Sequence, residues 1–177
     1  MKNIKKIISY TALALFTGIA IVSCNILDND DYEEYLKQLE EYQKQIREQY
    51  QTDSTLIVEY LTANDSVADY HEESGIFYHI LEEGGTEHPI TSSIIRVTYK
   101  GMLLDGTVFD QTAEDVSTNT FYLEQLISGW QYGVPLIGEE GRIILYLPSY
   151  YGFGSNESDD IPANSVLIFD INLISFI

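Results

Sequence analysis

The chain has 177 residues, of which 28 are acidic and nine are basic, and its net charge is −19 at pH 7. This excess of acidic residues argues against nucleic acid and anionic membrane surfaces as partners, because binding to phosphate groups depends on Lys and Arg side chains that release counterions. Cys24 is the only cysteine of the sequence, which excludes an internal disulfide bond.

Residues 1–23 are predicted to form a secretory signal. Three lysines precede an apolar run over residues 7–22, which is too short to span a membrane comfortably. The run closes with Ile21-Val22-Ser23-Cys24, which resembles a bacterial lipobox. We therefore expect Cys24 to carry a lipid anchor in a bacterial cell envelope, in the outer membrane, on its periplasmic or its outer face. Removal of the signal takes away three basic and no acidic residues, so the net charge changes from −19 to −22.

Residues 24–31 are predicted to be a flexible tether, because Asn and Asp dominate them. Two interpretations of its acidic residues, Asp28, Asp30 and Asp31, remain open. They resemble the acidic runs that accompany export to the outer face of the outer membrane in some bacteria. Alternatively, they complement the dipole of a helix that follows.

A helical segment without recognisable chemistry is predicted over residues 32–72. Apolar and tyrosine side chains recur there at helical spacing, at Tyr32, Leu36, Leu39, Ile46 and Tyr50. Thr52-Asp53-Ser54 predicts the N-cap of a second helix that breaks at Asn64. The first helix either packs, on its own domain or on a second copy in a homodimer, or is a solvated spacer.

The rest of the chain, residues 73–177, is predicted to be one domain of short strands. These strands are expected at residues 76–81, 94–103, 109, 121–123, 142–147 and 166–176. Asp105-Gly106 predicts a hairpin turn, and a short helix is expected to begin near Ser128, to carry Trp130 and to end early at Pro135. The predicted fold class is α+β, with an antiparallel sheet wrapped over one short helix.

Several motifs follow one another between residue 92 and residue 177. They are Val97-Thr98-Tyr99-Lys100-Gly101, Asp105-Gly106-Thr107-Val108-Phe109-Asp110, Phe121-Tyr122-Leu123, Leu126-Ile127-Ser128-Gly129-Trp130, Leu147-Pro148 with Tyr151-Gly152, and the run over residues 161–171. In this order they resemble the FKBP-type peptidyl-prolyl isomerases. The resemblance implies an FKBP-like fold and an enzyme that needs no cofactor and no metal.

The resemblance also implies a substrate pocket with an aromatic floor. Trp130 is expected to lie under the proline ring of the substrate, and Phe109 and Phe169 are expected to be walls of the pocket. Leu126 would line one edge, and Ile161 would close the opposite side. These five side chains are the predicted substrate-binding residues.

Four further residues are predicted to act on the substrate. Tyr99 would be a third aromatic wall, and Asp110 would accept hydrogen bonds at the rim. The backbone N–H of Ile127 would donate to the substrate, and Tyr151 would present its hydroxyl to a substrate carbonyl. The segment between Pro148 and the Tyr-Gly pair is one residue shorter than usual in the family, so Tyr150 remains an alternative to Tyr151.

The implied reaction is rotation about X-Pro amide bonds in exported polypeptides, for which the barrier is ~18–20 kcal/mol. Two alternatives remain open. A binding module would hold a proline-containing peptide without catalysis, and Asn119, where the family often has an aromatic residue, favours that interpretation. A holdase chaperone would depend on the helical segment instead. The three histidines lack the spacing of metal ligands, and the acidic run at residues 156–160 is interpreted as a solvated turn.

Overall fold

A computed structural model describes residues 29–113, 118–158 and 160–177. The predicted signal, Cys24 and the first residues of the predicted tether lie outside these ranges. Within them, no helix combines the length and the apolar character that a membrane span requires.

Helix α1 comprises Asn29–Ala63 and is continuous. The last three residues of the predicted tether are therefore helical, and the prediction of two separate helices is wrong. The hydroxyl of Thr52 donates to the carbonyl of Glu48, 3.0 Å away and one turn earlier, so Thr52 is an internal residue of the helix. Asp53 is also not a cap, because its carboxylate accepts hydrogen bonds from the distant Ser149.

The helix ends where the sequence predicted, before Asn64. The backbone N–H of Asn64 donates to the carbonyl of Tyr60 at 3.1 Å, and the N–H of Ser66 donates to that of Leu61 at 2.9 Å. Between them, Asp65 has a φ of 49°, in the left-handed region that commonly closes helices. These bonds satisfy carbonyls that the helix end would otherwise leave unpaired.

The chain divides into two compact units, with the boundary between Thr52 and Asp53. Residues 29–52 of α1 are the described part of the first unit. The second unit contains an antiparallel sheet whose strand order is β1-β2-β6-β7-β3-β4, with β5 paired to β3. Its strands are β1 Asp69–Tyr70, β2 Phe77–Glu82, β3 Ile94–Leu103, β4 Val108–Gln111, β5 Asn119–Tyr122, β6 Gly141–Leu147 and β7 Leu167–Phe176.

The predicted strands are confirmed with small shifts of their ends, except that Leu123 lies in a 3-10 turn, Leu123–Gln125, and not in β5. The Asp105-Gly106 hairpin turn between β3 and β4 is confirmed. The N–H of Gly106 donates to the carbonyl of Leu103 at 3.0 Å, and the N–H of Thr107 donates to the carboxylate of Asp105 at 2.9 Å. The sheet is thus built by the local signals that the sequence carries.

The two faces of the sheet are covered by different elements. On one face, Ile57 and Leu61 of α1 pack in a cluster of buried side chains with Phe77, Tyr146, Val166 and Ile168. Helix α2, Ser128–Gly133, covers the other face. A Cβ atom at Gly129 would collide with Leu147 of β6, so glycine permits this close approach. Pro135 lies in the 3-10 turn Val134–Leu136, which confirms the early end of α2.

Candidate functional site

Five aromatic rings meet on the face of the sheet that α2 covers, and we call them the aromatic cluster. Trp130 is at the centre, with its ring centroid 5.4 Å from Tyr99, 5.3 Å from Phe169 and 6.3 Å from Phe121. Phe109 completes the cluster at 5.5 Å from Phe169. The ring planes of these pairs lie at 81–85°, the edge-to-face arrangement that aromatic quadrupoles favour. Four strands and one helix therefore converge on a single apolar region.

Local backbone geometry explains how Phe109 joins this cluster. Gly101 of β3 is paired with Phe169 of β7 and with Asp110 of β4. A Cβ atom at residue 101 would lie 2.7 Å from the ring of Phe109 and 3.0 Å from the ring of Phe169. Because glycine has no Cβ, both rings can approach the strand closely at this point.

One carboxylate borders the aromatic cluster. The hydroxyl of Tyr99 donates to Oδ2 of the exposed Asp110 at 2.7 Å. Burial, and then the hydrogen bond to Asp110, raise the pKa of Tyr99 well above its usual range. The phenol therefore stays protonated and keeps donating to Asp110 at neutral pH. Asp110 thus gives the apolar cluster a polar edge.

Helix α2 starts next to an unused backbone donor. Ile127 precedes the helix, and its carbonyl accepts the N–H groups of Trp130 at 3.0 Å and Gln131 at 3.3 Å. The N–H of Leu126 donates to Leu123, and the side-chain amide of Gln131 donates to the carbonyl of Leu126 at 2.7 Å. Among the described residues, none accepts a hydrogen bond from the N–H of Ile127. A bound group with an acceptor could use this donor.

The shortened segment after Pro148 exposes Tyr150 and buries Tyr151. Tyr150 is 50% exposed, whereas Tyr151 is 4% exposed. The ring of Tyr151 packs between Tyr132, at 6.1 Å, and Tyr150, at 5.3 Å. Burial and these neighbouring tyrosines raise the pKa of Tyr151 well above its usual range. Tyr151 is the inward-facing tyrosine of the pair, and its contact with a substrate stays a prediction.

Ile161 is buried in the loop that precedes β7, and it is 8% exposed. Two backbone hydrogen bonds with Ser158, at 2.9 and 3.3 Å, close a turn around it. Its predicted place at the far side of the pocket stays a prediction. Within the described ranges, no group of three or more His, Cys, Asp or Glu side chains could hold a metal ion.

Sequence reasoning missed the part that Phe121 plays. This ring lies on β5 opposite the buried Ile95 and contacts both Tyr99 and Trp130. The signal was available, because Phe121 stood in a segment that matched the family, two residues after Asn119 and therefore on the same face of the strand. Asn119 is paired with Val97 and lies on the same side of β5, and its buried side-chain oxygen has no partner among the described residues.

A family comparison agrees with this geometry. The family model described as FKBP-type peptidyl-prolyl cis-trans isomerase matches residues 85–174, which is more than half of the chain. The chain belongs to this family. The match includes every residue of the aromatic cluster, together with Asp110 and Ile127.

Relatives of this FKBP-family chain have been named in several bacteria. The FKBP-type peptidyl-prolyl cis-trans isomerase FkpA of Aeromonas hydrophila is 37% identical over 66% of this chain and 44% of its own length. FkpA of Buchnera aphidicola subsp. Schizaphis graminum is 43% identical over 57% of this chain and 40% of its own length. This chain thus spans less than half the length of these relatives.

Solved structures of FKBP-type proteins resemble the fold. The crystal structure of FkpA from Escherichia coli superimposes with a TM-score of 0.60 and 24% identity, over 99% of this chain and 82% of that one. A peptidyl-prolyl cis-trans isomerase from Pseudomonas syringae pv. tomato superimposes with a TM-score of 0.62 and 25% identity, over 72% of this chain and 92% of its own. The FKBP fold of this chain is therefore shared with both.

Proposed function

We propose that this protein is a peptidyl-prolyl cis-trans isomerase that acts on X-Pro bonds of exported polypeptides. One observation carries the proposal: the aromatic cluster around Trp130 lies beside the unused N–H of Ile127. An X-Pro substrate presents an apolar ring and a carbonyl acceptor next to each other. The aromatic cluster could hold the apolar proline ring, and the N–H of Ile127 could donate to the carbonyl.

The chemistry requires no nucleophile and no cofactor. The barrier to rotation, ~18–20 kcal/mol, comes from the amide resonance that is lost when the bond twists. The twisted amide has a smaller dipole than the planar one, so an apolar surface that excludes water favours it relative to the planar form. A donor aimed at the carbonyl, which is the role proposed for the Ile127 N–H, would stabilise the charge distribution during rotation.

The remaining predicted residues would shape the pocket. Trp130 would support the proline ring, with Tyr99, Phe109 and Phe169 around it. Asp110 would hold the hydroxyl of Tyr99 and supply the polar edge. We propose the same assignments for Leu126, Ile161 and Tyr151 that the family resemblance implies, with Phe121 added as a further wall.

A protease-coupled isomerisation assay with a panel of X-Pro peptides tests this function. The chain without its predicted signal is expected to accelerate isomerisation above the thermal rate, which is slow enough to follow over tens of seconds. Trp130→Ala and Asp110→Ala should lower the rate, whereas Glu124→Gln, which changes an exposed acid outside the cluster, should not. A folded wild type that leaves the thermal rate unchanged across the panel would overturn the isomerase proposal.

A peptide-binding module is the second candidate, and the buried, unpartnered oxygen of Asn119 favours it. A polar group beside the aromatic rings could hold a donor of a bound peptide and so slow its release. In this case fluorescence of Trp130 would report peptide binding while isomerisation stays at the thermal rate. Substitution of Asn119 by Leu would then weaken binding and would not raise turnover.

We further propose that Cys24 carries a lipid that anchors the protein in the envelope, on the outer membrane. The support is the signal-like sequence before residue 24 and the lipobox resemblance. Two acyl chains would suffice for stable anchoring. Expression of the full chain in a bacterial host should place the wild type in the membrane fraction and Cys24→Ala in the soluble or unprocessed fraction. Equal partition of both proteins would contradict the anchor.

The predicted helical segment over residues 32–72 is helical only as far as Ala63, and Asp69–Tyr70 form β1 ahead of the predicted FKBP-like domain of residues 73–177. We also propose that α1 pairs with a second copy. The support is that Leu36, Leu39, Ile46 and Tyr50, which are three, seven and four residues apart, are all partly shielded, while Tyr35 and Tyr42 are exposed. Sedimentation should give a dimer for the wild type and a monomer for Leu39→Glu. Gln38→Glu, one position before Leu39, is the matched control.

A further inference from the structure

Asp53 places a carboxylate inside the second unit, where sequence patterns predicted a helix cap. The side chain is fully buried. Its Oδ2 accepts the backbone N–H of Ser149 at 2.8 Å and the hydroxyl of Ser149 at 2.6 Å. Ser149 is itself 1% exposed. Both bonds are shielded from water, which strengthens them.

Ser149 is the anchor of the segment that carries the two site tyrosines. We call residues 149–154 the tyrosine turn; it begins with the 3-10 turn Ser149–Tyr151. The carbonyl of Ser149 accepts the N–H groups of Gly152 at 2.9 Å and Gly154 at 2.8 Å. The carbonyl of Ser149 thus closes the turn, while the N–H and the hydroxyl of the same residue bind the turn to Asp53.

The tyrosine turn in turn contacts the start of α2. The hydroxyl of Ser128, the first residue of α2, lies 3.5 Å from the carbonyl of Tyr151. Ser128 directly follows Ile127, whose N–H is the unused donor. The ring of Tyr151 packs on Tyr132 of the same helix. A displacement of Ser149 would therefore move Tyr151 relative to the donor at Ile127.

Burial of Asp53 is difficult to explain by stability alone. Taking a carboxylate out of water is costly, and apolar side chains of similar size often stabilise a protein as well or better. Asp53 does not start a helix either, because α1 runs through it without interruption. What the carboxylate provides is a fixed position for two donors of one residue, with a geometry that apolar packing would not specify.

We propose that Asp53 is a positioning residue of the isomerase site, which acts through Ser149 to hold the tyrosine turn against the start of α2. The inference rests on the proposed isomerase function. It assigns Asp53, at the start of the second unit, an indirect part in the site, although Asp53 does not belong to the aromatic cluster. Asp53 itself touches no substrate in this proposal.

The variants Asp53→Ala, Asp53→Asn and Ser149→Ala test the proposal in the full chain. Alanine at residue 53 removes the acceptor of both bonds, asparagine keeps a neutral acceptor, and alanine at residue 149 removes only the hydroxyl bond. Ile57→Ala is the matched control, because Ile57 lies one turn further along α1 and is fully buried in the cluster with Leu61 and Phe77. Its replacement should lower stability, and the described members of its cluster lie outside the tyrosine turn.

We expect kcat/KM, corrected for the folded fraction, to fall about tenfold in Asp53→Ala, which corresponds to roughly 1.4 kcal/mol. The loss should be smaller in Asp53→Asn and smallest in Ser149→Ala, while Ile57→Ala stays within about twofold of wild type. Amide hydrogen exchange at Tyr151, Gly152 and Gly154, measured relative to β6, should accelerate in the Asp53 variants and not in Ile57→Ala.

An Asp53→Ala protein with unchanged exchange in the turn, or with the same kcat/KM as Ile57→Ala, would overturn the proposal. If Asp53→Ala does not fold, the comparison of Asp53→Asn and Ser149→Ala with Ile57→Ala decides it in the same way. A wild type without isomerase activity would refute the proposed function. In that case the exchange readout alone decides the positioning: faster exchange at the turn supports it, and unchanged exchange overturns it.

Discussion

The two faces of the sheet differ in how completely their apolar side chains are buried. On the face that α1 covers, Ile57 and Leu61 meet Phe77, Tyr146 and Ile168, and all five are at most 9% exposed. On the face that α2 covers, Tyr99, Phe109 and Phe121 are only partly buried. The N–H of Ile127 and the oxygen of Asn119 are unpartnered among the described residues. The first face is organised for stability, and the second retains binding capacity that the fold does not use.

Replacement of Trp130 should cause the largest effect on the face that α2 covers. Trp130→Ala removes a ring that is 4% exposed and touches three others, so the free energy of unfolding should fall by about 3–5 kcal/mol. Isomerisation should fall to the thermal rate even where the variant is folded. Urea unfolding and the protease-coupled assay measure the two effects, and Trp130→Phe should recover most of the stability.

Replacement of Ile57 should lower stability without lowering activity, and so distinguish the roles of the two faces. Ile57→Ala leaves a cavity in a fully buried site, so the free energy of unfolding should fall by about 2–5 kcal/mol. Activity per folded molecule should stay close to that of the wild type, because Ile57 lies on the other face from the aromatic cluster. A proportionate loss of activity at temperatures where the variant is fully folded would show that the two faces are not independent.

Phe121 and Tyr122 are neighbours on β5, and their replacement tests whether the effect depends on the face to which the ring belongs. Phe121→Ala removes two edge-to-face contacts, each worth about 0.5–1.5 kcal/mol, and should weaken both stability and activity. Tyr122 is the matched control, because it points the other way along the strand and is 52% exposed. Tyr122→Ala should leave the isomerisation rate unchanged. Equal losses of activity in both variants would contradict the assignment of Phe121 to the site.

The smallest effect is expected for Tyr99→Phe, which deletes the hydroxyl and its bond to Asp110. A net loss of about 0.5–1.5 kcal/mol is typical for one hydrogen bond. A stronger signature should appear at high pH. Tyr99 has a raised pKa in the folded state, so above about pH 10, the ordinary tyrosine value, the unfolded chain has released a proton that the folded chain retains.

Stability should therefore fall as the pH rises above about 10, and it should fall less steeply in Tyr99→Phe, since one retained proton is absent. Denaturant unfolding between pH 9 and pH 11.5 measures both slopes. The remaining slope should reflect Tyr78, Tyr146 and Tyr151, because burial also raises the pKa of each of these tyrosines. Parallel slopes for wild type and variant would contradict the environment described for Tyr99.

Much of the fold could be predicted because its signals are local. Alternation of apolar and polar residues predicted β3 at its observed bounds, Asp105-Gly106 predicted the hairpin turn, and Pro135 predicted the end of α2. Of the predicted site, Tyr99, Phe109, Trp130 and Phe169 meet in one cluster, because strands in a known order carry them to one face. Phe121 was missed because a ring within a family motif does not reveal its neighbours.

The sequence by itself determined the strands, the turns, the helical spacing of α1 and the family to which the chain belongs, since each of these depends on neighbours along the chain. Tertiary structure alone decided that α1 is one helix and that Tyr151 is buried while Tyr150 is exposed. Asp53 is the clearest case. Its carboxylate could have capped a helix locally, but it binds Ser149, 96 residues away. A helix cap and the bond to Ser149 would each satisfy the carboxylate oxygens of Asp53, and only the packing of distant segments selects between them.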